Sequence, residues 1–319
     1  MAQMVPNVGI DVSKERLDVA VLPAGPQFNV SNDTAGWREL CRRLKPLEVR
    51  AIGIEPSGGY ERGVIGALLE AGLSVRSVNA WKLRQFAKAA GLLAKNDRLD
   101  AQVIALFVAT LPCREVRRDP MREHLAELVG ARRQMVDLRQ VLENHLEQMS
   151  DRGLGQMRQR QIRQLNADIV RLDRRIAEAV AAVPAFAARY NLLCSMRGVG
   201  PVLAATLLAW LPELGSITRR QVGALVGVVP YDFDSGKMKG LRCIFGGRAN
   251  VRHVLFMAAQ AGTIHNPVLH AFKQHLLAKG KEAKVAVVAI MRKLLTILNA
   301  MARDGQRWNP QLAQAGAQK

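Results

Sequence analysis

From residue 121 to residue 183, apolar side chains recur at alternating three- and four-residue steps, and no other feature constrains this chain more. Met121, Leu128, Met135, Leu142 and Met149 stand seven apart, with His124, Ala131, Leu138 and His145 between them. After "SDRGLG" (150–155) the steps resume at Ile162, Leu165, Ile169, Leu172, Ile176, Ala179 and Val183. A 3.5-residue period lines such positions along one helix stripe. Residues 116–186 are therefore predicted to be two long helices folded back as a coiled-coil hairpin or stalk. The arginines between, such as Arg132, Arg139, Arg163 and Arg171, read as a solvated face with some reach for phosphate.

The chain before this repeat has another texture. "NVGIDV" (7–12) and "RLDVAVL" (16–22) are short β-rich runs split by the polar "SKE", a hairpin signature, and "QFNVS" (27–31) extends them. "NDTAGWRELCRRLK" (32–45) starts with capping residues and continues at helical spacing. "VRAIGIE" (49–55) is a buried-type strand, "GVIGALLEAG" (63–72) a helix ending at glycine, and "LSVRSVN" (73–79) another strand. The order β-β-β-α-β-α-β-α predicts an RNase H-like (RuvC-like) domain over 1–115. In such a domain an antiparallel meander continues into crossover strands. After Pro184 the pattern is helical, giving a second domain over 187–305 and a loose tail over 306–319. The fold class expected is thus α/β plus all-α.

Charge narrows the partners. With 46 Lys+Arg against 27 Asp+Glu, the formal net charge is +19, which favours a polyanion. An anionic membrane is the weaker choice: runs such as "VLAATLLAWL" (202–211) reach only half the roughly 20 residues of a spanning helix. The start, "MAQMVPNVGID", has no basic-then-apolar leader, so a cytoplasmic protein is expected. Cys41, Cys113, Cys194 and Cys243 are scattered singly, as reduced thiols rather than a disulfide frame or zinc knuckle.

Within so basic a chain the acids stand out. Asp97 and Asp100, in "AKNDRLDAQV", open a helix three residues apart. Alone they read more often as an N-cap and a first-turn acid facing the helix dipole, although both lie on one helix face and so could also reach one ion. Asp11 closes the first strand after "VGI", and Glu55 closes the fourth after "AIGI". Either one alone is as readily a salt-bridged or exposed strand end. In an RNase H-like sheet, however, the first and fourth strands are neighbours and the helix after the last strand crosses them. The four carboxylates then converge and repel unless divalent cations neutralise them. Hard oxygen ligands select Mg²⁺ or Mn²⁺, and two such ions about 4 Å apart clamp both oxygens of a phosphodiester displacement.

The motifs "GIDVSKERLDVAV" (9–21), "IEPSGGY" (54–60) and "KNDRLDA" (95–101), in this order, resemble the DEDD-type transposases of the insertion-sequence one-ten family, relatives of the pilin-gene invertases. "PYDFDSGKMKGLRCIFGGRANVRHVLFMAA" (230–259) resembles the family's C-terminal region, closest to the subgroup named for insertion sequence eleven-eleven. The resemblance spans roughly residues 8–300. By residue chemistry D-S-G is a turn and its serine a turn former. The resemblance implies instead that Ser235 attacks DNA and forms a phosphoserine link, while Asp11, Glu55, Asp97 and Asp100 hold Mg²⁺ (or Mn²⁺). It further implies double-stranded DNA as substrate, guidance by a structured RNA encoded in the element, and a dimer or tetramer. A two-domain chain with a stalk suggests that Ser235 meets the carboxylates of another subunit.

Lys237, Lys239, Arg242, Arg248 and Arg252 surround Ser235 and suit phosphate contacts. Gly198 and Gly200, in "MRGVGP", fit the glycine turn of a helix-hairpin-helix, which offers backbone N–H groups to phosphate, or a plain turn before a packing helix. Aromatics make up 5% of the chain, so a broad base-stacking platform is not the expected mode. Three other readings compete. A structure-specific nuclease of the Holliday-junction-resolvase kind would use the same acids with water. A non-enzymatic coiled-coil nucleic-acid-binding protein would use them as caps and salt bridges. An actin-like kinase would share "GIDVSKE" but needs a second phosphate loop that "RGVGP" poorly supplies.

Overall fold

Alternation of apolar and small residues builds a six-stranded sheet in the first part of the chain. The computed structural model describes residues 5–92, 97–232, 234, 235, 238, 240 and 242–310. They fall into two compact units, Met1–Arg118 and Asp119–Lys319.

In the first unit β1 (Asn7–Val12), β2 (Arg16–Leu22) and β3 (Gln27–Ser31) form the antiparallel meander. Helix α1 (Thr34–Leu44) leads to β4 (Ala51–Ile54), α2 (Glu61–Glu70) to β5 (Val75–Ser77), and then come α3 (Ala80–Ala89), α4 (Asp97–Thr110) and β6 (Arg114–Glu115). The strand order is β3-β2-β1-β4-β5-β6, with β1, β4 and β5 parallel. The first and fourth strands are thus direct neighbours, as the motif order predicts. The edge strand β6, antiparallel to β5, had no sequence signal because it is only two residues long.

The two faces of the sheet differ. Val8, Ile10, Ile52 and Ile54 pack with Leu40 and Leu44 of α1 and Val64 and Leu68 of α2. Each such fully buried side chain contributes roughly 1.5–3 kcal/mol. The intervening residues face the other way. There Ala51 clusters with Ile104, Phe107 and Val108 of α4, and Gly9 and Gly53 leave room for the helix itself. A Cβ on Gly9 would sit 2.0 Å from the Ala101 carbonyl oxygen, and one on Gly53 2.4 Å from Val108 Cγ2.

The second unit opens with α5 (Pro120–Glu147) and α6 (Arg152–Ala181). Arg132 pairs with Asp173 and Arg139 Nη1 donates to Asn166 Oδ1 at 3.0 Å, so the two helices run antiparallel. The apolar row of α6 faces inward, with Ile169 and Ile176 buried. On α5 the buried residues are Leu125, Leu128 and Val129, whereas His124, Leu138 and His145 are exposed. A straight helix of 3.6 residues per turn drifts from a seven-residue repeat, which carries those positions off the contact. The base of this hairpin packs through Leu125, Ile176 and Val180 onto α7 (Pro184–Cys194) and α8 (Pro201–Trp210).

Then follow α9 (Arg219–Val226), the two-stranded ribbon β7 (Pro230–Tyr231) and β8 (Cys243–Ile244), α10 (Ala249–His265), α11 (Pro267–Ala278) and α12 (Ala283–Asp304). By length and composition alone α12 is long and apolar enough to cross a membrane. Here Ile290, Leu294, Leu295 and Leu298 lie in the helical core instead. All four cysteines are free thiols.

Candidate functional site

The ends of two parallel strands define the first site. Gly9 pairs with Gly53 and Ile10 with Ile54. One step further along stand Asp11 and Glu55, side by side and half-buried. Side chains alternate along a strand, so both carboxylates share the face of Gly9 and Gly53, the face that α4 covers. Helix α4 crosses both strands: at Gly53 it presents Val108 and Ile104, and at Gly9, the residue paired with Gly53, it presents Ala101, Ile104 and Ala105. The later residues of α4 thus lie over β4 and the earlier ones over β1, and its first turn carries Asp97 and Asp100. Asp100 is half-buried. The side chain of Asp97 lies outside the described residues.

The four acids expected from the sequence are all carboxylates, two at the ends of neighbouring strands and two in one helix start. That chemistry fits a hard divalent ion and not a thiolate-seeking one. Among the described residues no three His, Cys, Asp or Glu side chains stand at metal-binding spacing. Asp11, Glu55 and Asp100 are all among them, so these three by themselves are not brought together as a metal-binding group.

Hydrogen bonds hold the loops around these strand ends. Asn32 Nδ2 donates to the Ser13 carbonyl at 2.8 Å and to the Tyr60 carbonyl at 3.1 Å, while Trp37 Nε1 donates to Asn32 Oδ1 at 2.8 Å. Asn32 thereby ties the turn after Asp11 to the loop after Glu55. That second loop, "PSGGY", is shaped by Glu61, whose Oε2 accepts from the backbone N–H of Ser57 (3.0 Å) and Gly59 (2.9 Å). Gly58 (φ 65°) and Gly59 (φ 101°) adopt left-handed conformations that favour glycine. Sequence reasoning missed Asn32 and Glu61. It also missed Asp18, which is 5% exposed, pairs across the β-ladder with Asp11, and accepts from Arg16 Nε at 2.8 Å. The "RLD" spacing carried the signal, since i and i+2 in a strand share a face.

Ser235 lies in the other unit, at the tip of the β7–β8 ribbon. It is exposed, and its backbone exchanges hydrogen bonds with Met238 at 3.0 and 2.9 Å. The flanking acids shape the turn: Asp234 Oδ1 accepts from Gly240 N at 3.1 Å, and Asp232 pairs with Arg242 at 2.7 Å. Lys237 and Lys239 lie outside the described residues.

Arg248 and Arg252, expected to meet phosphate, are engaged in internal bonds. Arg248 forms a two-pronged pair with Glu213 at 2.6 and 2.8 Å and donates to the Trp210 carbonyl at 2.9 Å. Arg252 donates to the carbonyls of Val226 (3.2 Å) and Gly246. Both arginines thus fasten the return of the ribbon onto α8 and α9. A two-pronged, largely buried pair makes Arg248→Ala expected to lower stability by ~1.5–3 kcal/mol. Chemical denaturation would measure it, and a change under about 0.5 kcal/mol would show that the pair is dispensable.

Gly198 also has a packing duty. Its φ is 93°, and a Cβ there would lie 2.5 Å from Gly262 Cα on α10. Gly200 is exposed and caps α8, with open space around it.

Comparison with known proteins bears on both units. A family model described as "Transposase", of the DEDD IS110 type, matches residues 8–152. A second, "Transposase IS116/IS110/IS902 family", matches residues 190–274, so the two cover more than two thirds of the chain. The chain belongs to the IS110 family of transposases. This transposase is 24% identical over 323 residues to the pilin gene-inverting proteins of Moraxella lacunata and Moraxella bovis, covering 96% of its own chain and 98% of theirs. It is 29% identical over 116 residues to an uncharacterized 43.6 kDa protein of insertion element IS110 from Streptomyces coelicolor, covering 36% of this chain and 29% of that one. Among solved structures, Thermus thermophilus RuvC in complex with a Holliday junction substrate matches 35% of the transposase and 99% of its own chain, at 15% identity and a TM-score of 0.28.

Proposed function

We propose that this transposase cuts and rejoins DNA strands by divalent-ion catalysis at Asp11, Glu55, Asp97 and Asp100, with Ser235 as nucleophile. The observation that carries the reading is the side-by-side placement of Asp11 and Glu55 on the sheet face that α4 covers. The carboxylates would hold Mg²⁺ (or Mn²⁺), which supplies Lewis-acid polarisation of the phosphoryl oxygens when bound. Asn32 and Glu61 keep the two strand-end loops in place around them.

Ser235 supplies the bond-making atom. Its Oγ attacks a backbone phosphorus, a phosphodiester P–O bond breaks, and the departing strand oxygen takes up a proton. The phosphoserine ester then passes its phosphoryl group to the hydroxyl of another strand end, and the serine is released. An exposed ribbon tip leaves Ser235 accessible to a strand, and a hydroxyl needs a base or a metal to activate it. The excess of basic residues suits both double-stranded DNA and a structured guide RNA, and the family reading adds a dimer or tetramer. The curated relatives of near-full-length match are named for inverting a pilin gene, which agrees with cutting and rejoining in place.

Trapping the protein on DNA, digesting it and finding a nucleotide adduct on Ser235 is the direct test. Ser235→Ala is expected to abolish the adduct and strand joining, and removing divalent ions with a chelator is expected to stop cutting. If Ser235→Ala cuts at the wild-type rate, water is the nucleophile and the serine step is wrong.

A further inference from the structure

The second unit holds a cavity of about 920 Å³ between α9, α12 and the segment after α12. Pockets of this size receive small molecules or pieces of larger ones. Its lining is unusual in charge. Arg219, Arg220, Arg292, Lys293 and Arg307 contribute five cations, against one acid, Asp304. That acid is already paired with Arg303 at 2.8 Å. Among the described residues none of the five cations forms an ion pair with a carboxylate. Clustered like charges without counter-ions repel one another, so folding alone does not account for them.

Local structure gives the same indication. Arg219 and Arg220 are the first two residues of α9, where the helix dipole disfavours cations, and no acid stands in that turn. Lys293 is part-buried over the Phe272 ring, 4.3 Å from its centroid, and burial pulls its pKa below the usual lysine value. Two more aromatic rings line the space, Tyr231 and Trp308. The Trp308 backbone is anchored by a 3.0 Å bond from its N–H to Ser195 Oγ. Tyr231 belongs to β7, four residues before Ser235.

We infer that this cavity takes an unstacked nucleotide of a single DNA strand, its phosphates on the arginines of α9 and α12 and its base on Trp308 or Tyr231. Arginine serves phosphate in a way few residues do, and base stacking on an aromatic ring is tolerant of sequence. The choice of DNA rests on the strand-cutting reading, because β7 leads directly into the ribbon that carries Ser235. The cavity would hold the strand while the serine acts on it.

The test is fluorescence polarisation of a labelled single-stranded DNA oligonucleotide with the full chain, without divalent ions so that nothing is cut. Trp308→Ala and the pair Arg219→Ala/Arg220→Ala are each expected to weaken binding about tenfold or more. Trp308→Phe should recover most of it, since a ring still stacks. The arginine pair should also flatten the dependence of log affinity on log salt by about 0.7 per lost phosphate contact. Equal binding by wild type and both variants would overturn the inference. So would a free deoxynucleoside monophosphate competing as well as the strand, or tighter binding of the matching RNA through the same residues. Binding is read apart from cutting, so a chain that holds the strand in this way but never cuts leaves the cavity assignment standing and sinks the cleavage reading.

Discussion

Asp11→Asn is expected to reduce DNA cutting by about a thousandfold while leaving the fold intact. Asparagine keeps the size and shape of the side chain and loses only its charge, so the strand and the packing of Gly9 against α4 persist. What disappears is an anionic oxygen from a set of four that would hold a divalent ion. Removing one such electrostatic contribution to a phosphoryl transition state costs on the order of 10²–10³ or more in rate. The same reasoning extends to Glu55→Gln, the neighbour one strand away in matching register. A plasmid-nicking assay with a circular dichroism melt on the same preparation separates loss of chemistry from loss of fold. Wild-type cutting by Asp11→Asn would remove the carboxylates from the mechanism and return them to structural duty.

Gly9→Val should act on the same site from beneath it. At Gly9 a new Cβ would lie 2.0 Å from the Ala101 carbonyl oxygen and 2.4 Å from the Ala105 nitrogen, both backbone atoms of α4. Backbone cannot rotate out of the way as a side-chain tip can, so the helix must lift from the sheet. The expected cost is ~3 kcal/mol or more, at the upper end of overpacking. Lifting α4 would also displace the helix start that carries Asp97 and Asp100, so on the proposed mechanism cutting should fall even where enough folded protein remains. Gly200→Ala is the control, because open space surrounds that residue at an ordinary φ of −96°. Its stability should stay within about 0.5 kcal/mol of wild type. If the two variants melt alike, the close approach of α4 to β1 is not what the geometry indicates.

Some misreadings have a common origin. Arg248 resembles a phosphate contact because it is basic and near Ser235, yet its partner is Glu213, 35 residues earlier. Charge along a sequence does not reveal which opposite charge folding will bring to it. Gly198 resembles a phosphate-binding turn, but its nearest neighbour is Gly262, on a helix far along the chain. Both cases turn on distant contacts. By contrast the α6 row from Ile162 to Ala179 points inward as its spacing predicts, because helical period is a property of neighbouring residues.

The sequence by itself determined the meander, the crossover strands and the two long helices. Each follows from periodicity or from motifs confined to a dozen residues. Only the tertiary structure decided that Asp18 lies opposite Asp11, that Asn32 ties the two strand-end loops together, and that five cations line one cavity. Those facts depend on strand register and helix packing, which are set by contacts between residues remote in the chain. Local pattern specifies the elements, but only their packing specifies which side chains meet.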